Sequence, residues 1–495
     1  MPPTVRTRRA TGISLPSGGA PVRRMPLAPF DTYWVALPPV SRVFFFVPPS
    51  PPVSFTDIAR DLRLSLAAVL PAFHPFAGKL AFSPESRTVA IVCGEDARVD
   101  FVEAETELEL ARLIEEGAEH DPDALGQLVP DIRREELPAP VMAAQVRCHD
   151  PRAYVEQSPL SRHLRTITFF CLCALTDGQV TEFVGGGGGI ALGVAVHHAA
   201  ADGRGILRFL QMWAAAAVIT RSRRGRVGVA AEPMPPPIHD RSLVRFHGDE
   251  ELASVFLRHR APELPRIVPK QGPSSAATTA PLLCRSTFTF AASVLRRLKQ
   301  RIADMGAGTV PSTMAALAAH GWVSIARASN FTDGAPVHAV FLADCRAHMS
   351  PPVPAAYAGN CVVPCFVTLT GAELGGLDGH ARALFAIREA VEEVKRDPLA
   401  DRSRWSKLKD IPRGRAVILA GSPLLTAYAL DFGFGRPALS EAASMNHDGE
   451  IFLIAGREAG SVQASVAVAA GKMKAFREIF VLDSSKKGGD GCSRL

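Results

Sequence analysis

No stretch of this chain is apolar for long enough to cross a bilayer. The longest near-uniform run, Thr166 to Leu175, falls well short of the roughly 20 residues a spanning helix needs, so no membrane partner is expected. Charge of one sign is also scarce. The 55 basic residues face 49 acidic ones, a net +6, which implies no polyanion-binding surface and no nucleic-acid partner. The small positive balance would still favour an anionic small molecule. Cysteines are badly spaced for cross-links. Of the nine, at 93, 148, 171, 173, 284, 345, 361, 365 and 492, only Cys171 with Cys173 and Cys361 with Cys365 stand close, and neither group has a matching second pair. That argues against a secreted disulfide framework and against a zinc site, and for a reduced, cytosolic compartment. A secretory apolar segment is missing at the start. The first acidic residue is Asp31 and five arginines precede it, which keeps an organelle-transit reading open beside the cytosolic one.

What is present is ordinary globular composition, 47% hydrophobic and 21% charged, in 495 residues, too many for one core. Phe30 to Phe46 reads as a turn or short helix and then a buried strand. Thr56 to Leu70 has apolar residues at helical spacing with Ser54 placed to cap it. Strands are expected at Thr88 to Val92 and Arg98 to Val102, a helix at Glu105 to Ile114, and a hairpin from Val141 to Val146 and Ile190 to Val196. A helix, Gly205 to Ala217, follows. The zone 221–281, with Pro233 to Pro237 and the Gly/Pro/Ser/Ala/Thr stretch Gly272 to Pro281, reads as a crossover linker. Beyond it, strands are expected at Ser286 to Phe290, Val337 to Ala343, Ala416 to Leu419, Ala427 to Phe432, Ile451 to Ala455 and Val462 to Val468. Helices are expected at Ser293 to Met305, Ser312 to Ala326 and Gly379 to Val394. Interleaved strands and helices in both halves predict an α/β protein of two similar-sized domains, 1–220 and 282–495.

One segment breaks this order. The dipeptide Gln-Val occurs at Gln145-Val146 and again at Gln179-Val180. Removing one copy with everything between leaves a strand that runs cleanly into the glycine turn, so Arg147 to Val180 reads as an insertion or as an intron left in the reading frame. Its apolar run has no evident place in a sheet.

Chemistry concentrates in two runs. The first is His197-His198-Ala199-Ala200-Ala201-Asp202-Gly203, at the end of the apolar strand Ile190 to Val196. It places an imidazole at a sheet edge with a carboxylate four positions on, and His198 is the candidate general base. The alternatives are a core histidine or a metal ligand, but no other His, Asp or Glu pair stands at ligand spacing nearby, and no metal is expected. His197 falls on the opposite face of the strand and reads as structural. Asp202 could polarise His198 or point away and pair with an arginine, and the second, structural role is the expected one. The second run, Asp431-Phe432-Gly433-Phe434-Gly435, reads as a structural turn in which Asp431 hydrogen-bonds backbone and Gly433 and Gly435 permit the bend. Gly185 to Gly189 precedes a strand rather than a helix, so it is a turn and not a phosphate cradle.

Together these runs resemble the two signatures of the plant BAHD acyltransferases, H-x-x-x-D-G at His198 to Gly203 and D-F-G-W-G at Asp431 to Gly435, with Phe434 in place of tryptophan. Further matches resemble the subgroup that acylates flavonoid and other phenolic glycosides. They are Phe30-Asp31 with Trp34, Val40 to Phe45, Leu128-Val129-Pro130, Asp240-Arg241-Ser242, Ala343-Asp344-Cys345-Arg346 and Tyr357-Ala358-Gly359-Asn360-Cys361. The resemblance covers about Val5 to Phe480 apart from Arg147 to Val180, and its matched motifs make Arg346 the candidate partner of Asp202. It implies two chloramphenicol-acetyltransferase-like domains around a solvent channel, with acyl-CoA, most simply malonyl-CoA, as co-substrate and no tightly bound cofactor. A phenolic glycoside would be the acceptor, and the enzyme a monomer. A malonyl carboxylate would need a cation, with Arg42 and Arg204 as candidates by position, beside their reading as ordinary surface or ion-pair arginines. A hydroxycinnamoyl donor, or an inactive homologue disabled by the insertion, are the rival readings.

Overall fold

The computed structural model describes residues 5–481 except 17–21, 48–52, 107, 116, 121, 133–134, 148–178, 184–188, 223–233, 268–280, 308, 408–411 and 413. The chain falls into two units that do not follow a single cut. The first holds Met1–Thr278, Met349–Val362 and Thr426–Met445; the second holds Thr279–His348, Val363–Leu425 and Asn446–Leu495. Two segments from the expected C-terminal domain thus belong with the N-terminal unit. One reason is visible in the backbone. The strand Leu439–Ala442 pairs antiparallel with Val40–Phe46.

The first unit is built on a mixed sheet. Its strands are β1 (Val5–Ser14), β2 (Val40–Phe46), β3 (Arg98–Thr106), β4 (Met142–Arg147), β5 (Gln179–Phe183) and β6 (Gly189–Val196). They lie in the order β1-β3-β5-β6-β2 with Leu439–Ala442 beyond, and β4 beside β5 between β3 and β6. Every residue of β6 is buried, as its unbroken apolar run predicts for a strand covered on both faces. The expected hairpin pairing is present. Met142 to Gln145 run antiparallel to Val196 to Gly193, and Val180 to Phe183 to Leu192 to Gly189.

These two ladders are one ladder interrupted. Gln145 faces Gly193 and Val180 faces the next residue, Leu192. Against β3, Ala144 faces Phe101 and Gln179 faces Val102. No position is skipped between the end of one strand and the start of the other. The residues between, 148–178, lie outside the described residues, as do Gly185 to Gly188 of the glycine run.

Helices cover the sheet. α1 is the short Pro29–Thr32. α2 (Phe55–Val69) starts at Ser54, whose hydroxyl accepts from Asp57 N at 3.1 Å, and buries Ile58, Leu62, Leu66 and Val69 on one face. α3 (Gly203–Ser222) packs on α2, and the Trp213 indole donates to Leu62 O and Ser65 Oγ, both at 3.1 Å. Under that contact Arg221 pairs with Asp61 at 3.2 Å, both side chains buried. The crossover zone is not wholly irregular, for α4 (Asp249–Arg260) forms there, acidic in its first turn and basic in its last, the order the helix dipole favours.

The second unit repeats the mixed pattern. Its strands are β7 (Leu283–Phe290), β8 (Pro336–Asp344), β9 (Val362–Thr370), β10 (Ala416–Ser422), β11 (Glu450–Ala455) and β12 (Val462–Ala469), arranged β9-β8-β10-β11-β12-β7. Its helices are α5 (Ala292–Ile302), α6 (Thr313–Ala328), α7 (Gly379–Arg396) and α8 (Ala470–Phe480).

Two expected elements differ. Glu105 to Ile114 is not one helix: β3 continues to Thr106, held by β1 in a ladder that reaches Val5, and only Leu110–Leu113 is helical. Strand pairing there outweighs local helix propensity. Ala427 to Phe432 is not a strand either; a single 3₁₀ turn, Ala427–Ala429, leads directly into the Asp431 bend.

Candidate active site

β6 delivers the two histidines to the end of the sheet, where His197 N donates to Val141 O at 2.7 Å and the chain turns, Ala200 N donating to His197 O at 2.9 Å. His197 is fully buried, and its Nδ1 accepts from Ala199 N at 3.2 Å. His198 faces the other way and is only partly buried. Its Nδ1 lies 3.1 Å from Asn360 Oδ1, and its ring stacks on Trp34 with centroids 3.8 Å apart and planes 15° from parallel. Burial pushes the imidazole below its ordinary pKa, against the opposing pull of backbone hydrogen bonding, Asp202, Asn360 and Asp31. The ring is therefore neutral at neutral pH, the state a general base needs.

Asp202 is buried and acts on backbone. Its Oδ1 accepts from Arg204 N at 3.2 Å and Gly205 N at 3.0 Å, capping α3, and its Oδ2 accepts from Cys361 N at 3.1 Å. The carboxylate therefore ties the loop after His198 to the segment that carries Asn360. That close approach needs a glycine, because a Cβ on Gly205 would lie 2.4 Å from Ala358 O. Arg346, also buried, is ion-paired to Asp344 at 3.1 Å.

Behind Asn360 lies a buried chain of polar groups. Asn360 Nδ2 donates to Asp31 Oδ1 and to His198 O, both at 2.8 Å. Asp31 Oδ2 accepts from Arg241 Nε at 2.9 Å and Ala28 N at 3.0 Å. Arg241 reaches on to Ala200 O at 2.7 Å, inside the turn that follows His198. Burial pulls the Arg241 pKa down, but Asp31 and Tyr357 more than offset it, so the guanidinium stays charged. Asp31, Trp34, Arg241 and Asn360 all stand in motifs visible in the sequence, yet their spacing there gave them no role.

The second signature behaves as a turn. Asp431 Oδ1 accepts from Gly433 N at 2.7 Å and Gly435 N at 3.1 Å, with both glycines at positive φ, +86° and +112°. Phe434 is buried, its ring edge-on to Phe46 at 4.9 Å, and Phe432 meets both Phe46 and Trp213. The motif carries no nucleophile and anchors the Thr426–Met445 segment to the first unit.

The two candidate cations differ. Arg42 is buried in β2, its pKa pushed down to about 10 by burial, with Glu441 and Tyr428 pulling the other way. Arg204 is exposed at the start of α3. No group of three or more His, Cys, Asp or Glu among the described residues is arranged to hold a metal ion.

A neutral histidine at a strand end, backed by a buried polar chain and with a capped loop beside it, is the equipment of a proton-transfer enzyme. The Transferase family model matches residues 4–148 and 174–483. The chain belongs to this family, the BAHD acyltransferases. It is an acyl-CoA-dependent acyltransferase. The match passes over 149–173, inside the segment bounded by the Gln-Val repeat. Among curated relatives, the phenolic glucoside malonyltransferase 1 of Arabidopsis thaliana is 26% identical over 83% of this chain and 83% of its own length. The malonyl-coenzyme A:anthocyanin 3-O-glucoside-6''-O-malonyltransferase of Dahlia pinnata is 27% identical over 94% and 95%. A coumaroyl-CoA:anthocyanidin 3-O-glucoside-6''-O-coumaroyltransferase of Arabidopsis thaliana is 26% identical over 94% and 95%. Among solved structures, vinorine synthase superposes with a TM-score of 0.65 at 18% identity over 95% of this chain and 96% of its own. The F. graminearum TRI101 structure with coenzyme A and T-2 mycotoxin gives 0.59 at 16% over 91% and 96%. This BAHD chain therefore has the chloramphenicol-acetyltransferase-like fold that the resemblance implied. Among the described residues no helix is long and apolar enough to cross a membrane.

Proposed function

We propose that this acyltransferase moves a malonyl group from malonyl-CoA to a sugar hydroxyl of a flavonoid, anthocyanin or other phenolic glucoside, with His198 as the general base. The observation that carries the chemistry is the His198 ring at the end of its strand, with Nδ1 engaged by Asn360 Oδ1 at 3.1 Å, which leaves Nε2 for proton transfer; the lowered pKa of the ring agrees with this. Nε2 takes the hydroxyl proton as the sugar oxygen attacks the thioester carbonyl, and a tetrahedral oxyanion forms. Its collapse breaks the C–S bond, and the imidazolium returns the proton to the departing CoA sulfur. The ester and free CoA thiol are the products, with no covalent enzyme intermediate. Trp34 assists because the face of an indole attracts the cation that His198 becomes.

The malonyl donor is supported by the donors named for the glucoside malonyltransferase relatives. Of the two cations, exposed Arg204 suits the malonyl carboxylate better than Arg42, which is buried near Glu441. The coumaroyl relative favours a hydroxycinnamoyl donor as the second reading. Turnover of malonyl-CoA against p-coumaroyl-CoA with a panel of phenolic glucosides, read by mass spectrometry, decides between them. Arg204→Ala should raise KM for malonyl-CoA and leave a coumaroyl donor unaffected. His198→Ala should cut kcat by roughly 10²–10⁴-fold while the protein stays folded, and normal turnover by that variant would end the reading.

Two further assignments belong to the same proposal. The enzyme works as a cytoplasmic monomer; light scattering tests the monomer. Arg147 to Val180 is dispensable for activity.

A further inference from the structure

We infer that Asp31, acting through Asn360, is the positioning residue that decides which ring nitrogen of His198 carries the proton. The inference deepens the reading of His198 as base and rests on it.

The logic is one of donors and acceptors. Asp31 is fully buried and surrounded by donors. Its Oδ1 accepts from Asn360 N at 3.3 Å and Asn360 Nδ2 at 2.8 Å, and its Oδ2 accepts from Ala28 N at 3.0 Å and Arg241 Nε at 2.9 Å. Four donors around two oxygens hold a carboxylate that has no proton to give. An asparagine amide would otherwise be free to point either way. Here Nδ2 sits 2.8 Å from Asp31 Oδ1 and 2.8 Å from the His198 carbonyl, two groups that only accept. Reversing the amide would set its oxygen against both. Oδ1 must therefore face His198 Nδ1, at 3.1 Å, and a carbonyl oxygen there requires Nδ1 to be the N–H. Nε2 keeps its lone pair. The two nitrogens of a histidine are distinct, and a partner on one fixes the work of the other.

The same residues fix the ring in space. Arg241, which holds Asp31, also bonds Ala200 O at 2.7 Å and His239 O at 3.3 Å, so the guanidinium joins the carboxylate to the turn that follows His198. Trp34, three residues after Asp31, lies flat against the imidazole. One short stretch of chain, residues 31–34, thus contributes both the tautomer and the plane of the base.

The test reads the tautomer directly. In ¹⁵N-histidine-labelled full-length protein at pH 7.5, with the His198 signals identified by their loss in His198→Ala, the ring should show a protonated Nδ1 and an unprotonated Nε2. A wild-type spectrum with the proton on Nε2 overturns the inference. In Asn360→Ala the Arg241–Asp31 pair stays intact, so folding is spared; the proton should move substantially to Nε2, and kcat should fall about 10²-fold or more, a large part of a general base's contribution, with KM for acyl-CoA little changed. Asp31→Asn should shift the proton as Asn360→Ala does. If Asn360→Ala keeps both the Nδ1–H signal and wild-type kcat, the inference fails. The spectra do not depend on turnover, so an active His198→Ala protein would remove the catalytic reading while leaving the tautomer result standing.

Discussion

At the scale of single residues, the proposed role of His198 as a base rests on the environment built by four others, none adjacent to it in sequence. Trp34 presents a flat face to the ring, and that contact is most valuable after the proton has moved and the imidazole is charged. Replacing it with leucine keeps the site apolar but removes the π-face. A cation–π contribution of about 1–2 kcal/mol in a desolvated setting corresponds to roughly 5–30-fold in rate. Trp34→Leu should lose that factor in kcat, and Trp34→Phe should lose less, with KM for the acceptor little altered; steady-state kinetics of the pair check this. Equal, wild-type kcat in both would show that the stack is packing alone. The position of His198 at the end of a buried strand was legible because a polar pair follows an unbroken apolar run, and that pattern is a local signal. Asn360 and Asp31 were not, because they meet across 329 positions of sequence, and Asn360 meets His198 across 162. Spacing carries no information about such pairs, although the motifs containing them were visible.

At the scale of elements, long periodic helices such as Phe55–Val69 and Thr313–Ala328 and the apolar strands were readable within a few residues, since their patterns are set by their own burial. Glu105 to Ile114 and Ala427 to Phe432 were misjudged because pairing with β1 in one case and the Asp431 turn in the other decided the backbone. The strands β4 and β5 give the sharpest element-level expectation. Gln145 faces Gly193 while Val180 faces Leu192, so joining Gln145 to Val180 would continue the ladder along β6 without a slip. Register matters because a shift of one residue would turn His198 to the other face. Deleting Arg147–Val180 leaves the same joined sequence, since each end carries a Gln-Val copy. The shortened protein should therefore fold, retain at least the activity of the full chain, and aggregate less, because the apolar run Thr166 to Leu175 is gone. Sequencing the mature transcript tests the intron reading. Activity present in the full chain and lost on deletion would show that the segment has work to do.

At the scale of the molecule, histidines that folding takes partly or wholly out of water govern the response to acid. Among the described residues, His74, His198, His239, His320, His338 and His380 all have pKa values below the ordinary one, burial being the first cause in each case. The sign is the same for all six. The unfolded chain takes up protons as pH falls through about 6.5, the folded chain does not, and stability present above that pH is lost on the way down. The second unit holds two such histidines in direct contact. His320 Nδ1 and His380 Nε2 are 3.1 Å apart, and His320 Nε2 donates to Phe480 O at 3.0 Å, linking α6, α7 and α8. With Nε2 donating, His320 Nδ1 accepts, and His380 Nε2 must be its donor. Burial, with Arg301 and Arg327 nearby, lowers His320 to about 4. Burial and the neighbouring His320, Arg327 and Arg301 lower His380 to about 3. Each such group contributes up to about 1.4 kcal/mol of lost stability per pH unit between 6.5 and its folded value. Carboxylates with depressed pKa values, Asp96, Asp333 and Asp401 among them, add their losses only at lower pH. The melting temperature should therefore decline from pH 7 to pH 4.5, before those carboxylates titrate. His380→Gln preserves a donor to His320 Nδ1 but has no proton to gain, so its decline should be shallower by close to one proton's worth of slope. Parallel curves for the variant and the wild type across pH 7 to 4.5 would show that His380 is not one of the groups through which acid unfolds the protein.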